Sequence, residues 1–206
     1  MDYIIGIDFD NTLVNYDDLL HVVALERGLI RADVRKNKKS IRDKIRQLPD
    51  GEIEWQRLQA ILYGPRMGEA TLADGARMFF GLCQQHNSPV YIISHKTERA
   101  AFGETDTNLR TVAMTWMMDN DFFKPDGLGL SPQSVYFEST RQAKIERIRH
   151  LICTHFIDDL EETFLEDSFP ANVEKILYDP HRQCSPPRGV RVLTTWKEIS
   201  NHFFGT

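Results

Sequence analysis

The amino-acid sequence predicts an α/β protein with a doubly wound parallel sheet and a small α-helical insert. Three observations support this fold class. Short apolar segments recur along the chain, amphipathic helical stretches separate them, and one region near the amino terminus has helical periodicity only. At roughly 150 residues per domain, the 206 residues suit one full domain with an insert. A chain of this length can fold around a hydrophobic core without a disulfide or a metal.

The predicted sheet begins with Tyr3–Phe9, a short apolar segment that is rich in β-branched residues and typical of a buried strand. Five further segments of this kind follow: Val90–Ile93, Val135–Phe137, His155–Ile157, Lys175–Tyr178 and Val190–Leu193. The stretches between them have the spacing of helices, as in Thr140–Leu151, where Ile145 and Ile148 would face the sheet. Strands that alternate with helices in this way predict a parallel sheet covered on both faces.

The region from Tyr16 to Thr71 interrupts this alternation, because it contains helix-like segments and no convincing strand. Glycine or proline follows each of its three segments, which are Asp17–Arg27, Ser40–Leu48 and Glu52–Tyr63. We therefore predict a core domain of residues 1–15 and 72–206 and a helical insert of residues 16–71. The polar segment Ser94–Asn108 is predicted to be a long loop.

The amino-acid composition argues against several classes of binding partner and bound metal. The net charge of −5 argues against a general nucleic-acid or anionic-membrane binder. The three cysteines lie far apart without a Cys-x-x-Cys pair, so they suggest neither a disulfide framework nor a zinc site. No apolar run approaches the roughly 18 residues of a membrane span, and the first residues lack the basic segment of a signal peptide. We expect a cytoplasmic protein without membrane or nucleic-acid partners, and its oligomeric state stays open.

The first strand ends in a pair of carboxylates, Asp8 and Asp10, followed by Asn11 and Thr12. Residues two apart in an extended chain share a face, so both carboxylates would point the same way. The carboxyl end of a central parallel strand is where such sheets bind ligands. Two negative charges this close need a cation or a proton between them, which suggests a hard divalent metal and an acid–base pair. Ordinary turn chemistry is the alternative interpretation.

Three later segments place polar groups in corresponding positions. Ser94 closes the second strand, Lys144 lies near the start of a helix, and Asp158 and Asp159 close another strand. Each also has a plain structural interpretation: Ser94 as a turn residue, Lys144 as a solvated helix charge, and Asp158 with Asp159 as the start of a helix. Together they bring a hydroxyl, an ammonium group and carboxylates to one edge of one sheet.

This ordered set resembles the haloacid dehalogenase (HAD) superfamily of phosphohydrolases. Its motifs are matched in order by Asp8, Asp10 and Thr12, by Ser94, by Lys144, and by Asp158 with Asp159. The helical stretch after the first motif also resembles the cap that the family inserts at that point. The resemblance therefore implies a HAD-like, Rossmann-like core with a small helical cap.

The resemblance also implies a mechanism. Asp8 would attack phosphorus to form an aspartyl-phosphate, and Asp10 would protonate the leaving oxygen and later deprotonate water. Mg²⁺ would be held by Asp8, the backbone carbonyl of Asp10 and an acid from Asp158 or Asp159, a choice that stays undecided.

The phosphoryl oxygens would be held by Ser94 and Lys144, with further donors near Asn11 and Thr12. The second carboxylate, Asp10, favours phosphoryl transfer over dehalogenation, because the resemblance implies that dehalogenases of the family lack the second aspartate of this motif. We expect a Mg²⁺-dependent phosphomonoester hydrolase acting on a small soluble phosphorylated substrate, a sugar phosphate or a nucleotide. The alternatives are a phosphomutase and a non-catalytic module that binds a phosphorylated ligand or partner.

A basic run lies within the predicted insert. From Arg31 to Arg46 there are eight basic residues and two acidic ones. One interpretation is a solvated helix face with Ile41, Ile45 and Leu48 turned inward, and the other is a surface that attracts an anionic substrate. His95 and Lys96 directly follow Ser94, where they either border the predicted phosphate pocket or form an ordinary loop pair.

Overall fold

Strands and helices alternate along most of the computed structural model, which describes residues 3–102, 106–185 and 188–205. The strands of the described residues are β1 (Ile5–Ile7), β2 (Val14–Asn15), β3 (Thr71–Leu72), β4 (Val90–His95), β5 (Val135–Glu138), β6 (His155–Asp158), β7 (Glu174–Tyr178) and β8 (Val190–Leu193). The helices are α1 (Asp17–Glu26), α2 (Lys38–Ile45), α3 (Gly51–Tyr63), α4 (Ala76–Gln85), α5 (Leu109–Asp119), α6 (Arg141–His150), α7 (Glu161–Leu165) and α8 (Trp196–Phe204). No helix in these ranges is long and apolar enough to cross a membrane.

Six strands form the central sheet in the order β5-β4-β1-β6-β7-β8, and every neighbouring pair is parallel. The predicted doubly wound α/β fold is therefore confirmed. Ile5 of β1 lies opposite Val90 of β4 on one side and His155 of β6 on the other. Along the chain, β4 and β5 are added on one side of β1, and β6, β7 and β8 are then added on its other side. The carboxyl ends of β4, β1 and β6 therefore meet at this switch point, the edge where such sheets bind ligands.

The centre of the sheet is closely packed around β1. Ile5 and Ile7 are fully buried, as expected for a strand covered on both faces. Between them, Gly6 makes room for the neighbouring strand, because a Cβ atom at Gly6 would lie 2.6 Å from the ring of Phe156. The buried side chain of Cys153 is also close to this position. Of the three cysteines, Cys83 and Cys153 are buried and Cys184 is partly exposed.

Helix α6 shows how local sequence places a predicted site residue. Its N-cap is Thr140, whose hydroxyl accepts a hydrogen bond from the backbone N–H of Ala143 at 3.1 Å. The helix packs on β4 and β5, and its buried residues are Lys144, Ile145 and Ile148. Since Lys144 and Ile148 are four residues apart, they share the face that is turned to the sheet.

The chain forms two compact units. One comprises Met1–Val14, Leu72–Lys96 and Met117–Thr206, and contains the six-stranded sheet; the other comprises Asn15–Thr71 and Thr97–Trp116. In the second unit α1, α2 and α3 pack against one another. The segment Thr97–Trp116, which the predicted boundaries leave in the core domain, belongs to this unit, where Trp116 Nε1 donates to the carbonyl of Ala70 at 3.1 Å.

Four details of the predicted elements differ. The first strand is limited to Ile5–Ile7, and the predicted strand-free insert ends in β3, which pairs with β2. Ile41 and Ile45 are buried as predicted, but Leu48 is 38% exposed, because α2 ends at Ile45 and its periodicity no longer applies. The predicted loop Ser94–Asn108 begins later, since β4 continues to His95, and its residues 103–105 lie outside the described residues.

Candidate active site

The first motif lies in a tight turn at the carboxyl end of β1. The backbone N–H of Asp8 donates to the carbonyl of Ile157 at 2.8 Å, which extends the pairing with β6 by one residue. Phe9 is fully buried on the other face and packs edge-on against Phe137. The chain then reverses through Asn11, whose φ of 63° lies in the left-handed region that asparagine tolerates. Asp8 and Asp10 are thus both at the ligand-binding edge.

Lys144 joins two of the predicted site residues. Its Nζ lies 2.6 Å from Oδ1 of Asp8 and 2.7 Å from Oδ2 of Asp158. Lys144 and Asp158 have side-chain exposures of 2% and 0%, and that of Asp8 is 8%. A buried ammonium group is stable here because two carboxylates pair with it. Lys144 is therefore part of the cluster and is not a solvated helix charge.

The carboxylates at this edge carry more negative charge than the lysine neutralises. Oxygen atoms of Asp8, Asp158 and Asp159 all lie within 4.8 Å of one another. Asp158 is fixed further, since its Oδ1 accepts the N–H of Leu160 at 3.0 Å. Three carboxylates with one ammonium group leave an excess of two negative charges. Since Mg²⁺ prefers carboxylate oxygens as ligands, this donor set fits a magnesium ion.

The pKa values of the buried pair reflect this charge balance. The pKa of Asp8 is raised to about 8: burial is the largest cause, Lys144 opposes it, and the charges of Asp158 and Asp159 add to it. Burial alone would lower the pKa of Lys144, but the charges of Asp158 and Asp8 outweigh it and raise that pKa. In the absence of a divalent cation, the raised pKa favours the protonated form of Asp8. A cation bound to its carboxylate would favour the ionised form that a nucleophile requires.

The remaining predicted ligands of phosphate lie at the same edge. Ser94 is buried near the carboxyl end of β4, in register with Phe137 of β5. The carbonyl of Thr12 accepts the indole N–H of Trp196 at 3.2 Å. The buried hydroxyl of Thr12 has no hydrogen-bond partner among the described residues. A buried polar group without a partner is a position where a ligand oxygen can bind.

No protein-family model and no curated protein matches the chain. Among solved structures it is similar to a HAD hydrolase of family IA, variant 3, from Entamoeba histolytica, with a TM-score of 0.57 and 13% identity over 97% of this chain and 95% of that one. It is also similar to a HAD family hydrolase from Deinococcus radiodurans with bound phosphate and sodium (TM-score 0.55, 15% identity, 98% and 95% covered). A third is the HAD-hydrolase YfnB from Bacillus subtilis bound to magnesium (TM-score 0.51, 15% identity, both chains fully covered).

This chain has the HAD-like fold. The resemblance predicted from the sequence motifs is thus confirmed at the level of the fold, and the helical insert after β1 is consistent with a HAD cap. Within this fold the direct contacts join Asp8, Lys144 and Asp158, with Asp159 in the same carboxylate group. Asp10 is held by a different residue.

That residue is Lys96, which the sequence places near the site without giving it a role. Its Nζ lies 2.8 Å from Oδ2 of Asp10, and its side chain is only 2% exposed. The backbone N–H of Lys96 donates to the carbonyl of Glu138, which extends the β4–β5 pairing and fixes its position. Strand alternation could have identified it, since Lys96 shares a face with the buried Ser94. His95 points elsewhere; its Nε2 lies 3.2 Å from the carbonyl of Ser139.

Proposed function

We propose that this protein is a Mg²⁺-dependent phosphomonoester hydrolase that works through an aspartyl-phosphate on Asp8. The observation that carries the proposal is the buried cluster in which Lys144 bridges Asp8 and Asp158 at the carboxyl edge of the sheet. Its substrate would be a small soluble sugar phosphate or nucleotide. Two neighbours with the same fold, solved with phosphate and with magnesium, support this chemistry.

Asp8 would act as the nucleophile. A carboxylate oxygen of Asp8 attacks phosphorus in line, a new P–O bond forms, and the bond to the leaving alcohol oxygen breaks. The contact between Lys144 and Asp8 Oδ1 fixes the orientation of this carboxylate before substrate arrives. Lys144 also supplies positive charge beside the position where the phosphoryl group would lie.

Asp10 would move the protons. It gives a proton to the leaving alcohol oxygen as that bond breaks, and then takes one from the water that attacks the aspartyl-phosphate. The second attack releases inorganic phosphate and returns Asp8 to a carboxylate. Lys96 would keep Asp10 in place through both steps, because the contact between its Nζ and Oδ2 fixes one of the two carboxylate oxygens.

Asp8, the backbone carbonyl of Asp10 and one or both of Asp158 and Asp159 would hold Mg²⁺. When bound, Mg²⁺ supplies positive charge that offsets the repulsion between the phosphoryl group and these carboxylates. The hydroxyls of Ser94 and Thr12 and the backbone N–H groups near Asn11 would donate to the phosphoryl oxygens. The unpartnered buried hydroxyl of Thr12 supports this role.

Phosphate release from a panel of phosphomonoesters tests the proposal, with Mg²⁺ and with EDTA. We expect metal-dependent release by the wild type and a loss of roughly a thousandfold or more in Asp8→Asn, the scale seen when a nucleophile is removed. Asp167→Asn is the matched control, since Asp167 is exposed and lies outside the cluster. Equal activity of Asp8→Asn and wild type contradicts the proposal. Return of the phosphoryl group to a sugar in place of water would identify a phosphomutase.

A further inference from the structure

A second group of metal-ligating side chains lies at the opposite end of the sheet from the candidate active site. His155 is the first residue of β6 and Glu174 the first residue of β7, and the two are direct register partners. His202 approaches them from α8. All three lie in the unit that contains the six-stranded sheet. The group is therefore at the amino edge, whereas Asp158 closes the same strand β6 at the carboxyl edge.

The distances in this group match a metal site. Nε2 of His155 lies 3.3 Å from Oε2 of Glu174, and Nε2 of His202 lies 3.0 Å from Oε1 of Glu174. The three ligand atoms all lie within 4.8 Å of one another. In a tetrahedral zinc site with bonds of about 2.0–2.1 Å, neighbouring ligand atoms stand about 3.4 Å apart. Small side-chain adjustments would therefore place all three around one ion.

Thr154 orients the imidazole of His155. The hydroxyl oxygen of Thr154 accepts the N–H of Ile4 at 3.0 Å and lies 2.8 Å from Nδ1 of His155. With Nδ1 engaged by Thr154, Nε2 is directed toward the carboxylate of Glu174 at 3.3 Å. In the tautomer that carries its hydrogen on Nδ1, Nε2 can bind a cation, and such an outer hydrogen bond from the other ring nitrogen is typical of metal-binding histidines.

The surrounding side chains hold the imidazoles in place. The rings of Tyr3 and Phe203 pack edge-on against His155, with centroids 5.2 and 4.8 Å away. The ring of His202 also packs against Phe203. Arg191 competes for the carboxylate, since its Nε lies 2.8 Å from Oε1 of Glu174. The strength of metal binding at this group therefore depends on displacing one guanidinium contact.

We propose that His155, Glu174 and His202 form a second metal site that binds a divalent transition metal, with Zn²⁺ as the best match. Two imidazoles and one carboxylate suit zinc, whereas the all-carboxylate group at the other edge suits magnesium. The bound ion fastens α8 to the amino ends of β6 and β7, with the fourth position filled by water. This inference does not depend on the proposed hydrolase activity.

Calorimetric titration of metal-free protein with Zn²⁺, in saturating Mg²⁺, tests the site. We expect one Zn²⁺ per chain in the wild type and an affinity at least tenfold weaker in His202→Gln, since losing even an outer-shell partner costs about 10- to 100-fold. His150→Gln is the matched control, because His150 is exposed at the end of α6; its affinity should equal that of the wild type. Asp158→Asn should also keep this Zn²⁺ site.

Two further variants keep the test decisive if His202→Gln does not fold. Arg191→Gln removes the competing guanidinium and should tighten Zn²⁺ binding, whereas Thr154→Val removes the partner of His155 Nδ1 and should weaken it about 10- to 100-fold. Opposite shifts in these two variants support the site. Absence of Zn²⁺ binding by the wild type, or binding that neither Thr154→Val nor His202→Gln changes, shows that the three residues form only a hydrogen-bonded group.

Discussion

Two lysines at the carboxyl edge of the sheet each hold one aspartate of the first motif. Lys144 contacts Asp8, and Lys96 contacts Asp10. The surroundings of the two carboxylates differ, because Asp8 also lies beside Asp158 and Asp159. Two carboxylates in different electrostatic environments can take different roles, which supports the proposal of Asp8 as nucleophile and Asp10 as proton carrier.

Removing Lys96 should slow the chemical step. In Lys96→Met, Asp10 loses the contact that fixes its carboxylate, so we expect kcat to fall by ~10- to 100-fold, within the range that positioned acid–base groups contribute. Lys96→Arg should recover part of the loss, since it keeps the positive charge. Steady-state kinetics on one substrate measure both variants. A change in KM alone would contradict a role in proton transfer.

The raised pKa of Asp8 predicts a pH-dependent stability in the absence of metal. The pKa of Asp8 is 3.8 in the unfolded chain and about 8 in the folded protein. As pH rises from about 4 toward 8, the carboxyl of Asp8 therefore loses its proton in the unfolded chain before it does so in the folded protein. Folding stability should therefore fall over this range. Asp8→Asn lacks the effect, so its Tm in EDTA should exceed that of the wild type more at pH 8 than at pH 5. A difference that does not change with pH contradicts this account.

Much of the site could be predicted from the sequence at this scale. Asp8 and Asp10 follow β1 and Asp158 is the last residue of β6; the apolar character of these strands marks their ends, and parallel strands bring those ends together. Strand alternation places Lys96 on the same face as Ser94, but it does not reveal the pairing with Asp10, because a lysine just after a strand is ordinarily solvated. Its backbone is held by a hydrogen bond from its N–H to the carbonyl of Glu138 on β5.

Among the elements, α6 is the helix whose N-cap should affect the candidate site, because its first turns carry Lys144. Thr140→Ala removes the N-cap hydrogen bond to Ala143 and should lower the free energy of unfolding by ~1 kcal/mol. Because α6 positions Lys144, we also expect kcat to fall. Asn37→Ala is the matched control: Asn37 caps α2 through the N–H of Ser40, and α2 carries none of the site residues. Chemical denaturation and kinetics on both variants measure the two effects. An equal loss of kcat in Asn37→Ala contradicts the positioning role of α6.

Element types were easier to predict than their ends. The apolar and helical periodicities correctly predicted the six strands of the sheet and α1, α3 and α6, because each element buries one face. The short pair β2 and β3 was missed, since two-residue strands have no periodicity. One of the two interpretations of the basic run turned Leu48 inward, because the sequence does not show that α2 ends at Ile45; Leu48 is exposed.

Over the whole molecule, positive charge is concentrated in the run from Arg31 to Arg46, whereas the net charge is −5. If this run attracts an anionic substrate, a triple variant with Lys38→Gln, Lys39→Gln and Arg42→Gln should raise KM at low ionic strength and leave kcat unchanged. The difference should shrink as salt approaches ~1 M, where the Debye length is about 3 Å. The control exchanges lysine and arginine at the same positions and keeps the charge. An unchanged KM at low salt contradicts the attraction.

The fold could be predicted from the sequence, but the extent of the second unit could not. The alternation of strands and helices determines a parallel sheet from local patterns alone. The segment Thr97–Trp116 joins the second unit through contacts distant in sequence, such as the hydrogen bond from Trp116 to Ala70. Local periodicity carries no information about such contacts, so the predicted boundary followed the insert alone.

Trapping the phosphorylated enzyme tests the central claim most directly. The protein is mixed with a labelled phosphomonoester that it hydrolyses in Mg²⁺, quenched in acid during turnover, and digested for peptide mapping by mass spectrometry. We predict a phosphoryl group on Asp8 in the wild type, and its absence together with loss of turnover in Asp8→Asn. Continued turnover by Asp8→Asn, or a phosphoryl group trapped on another residue, would contradict the assignment of Asp8 as the nucleophile.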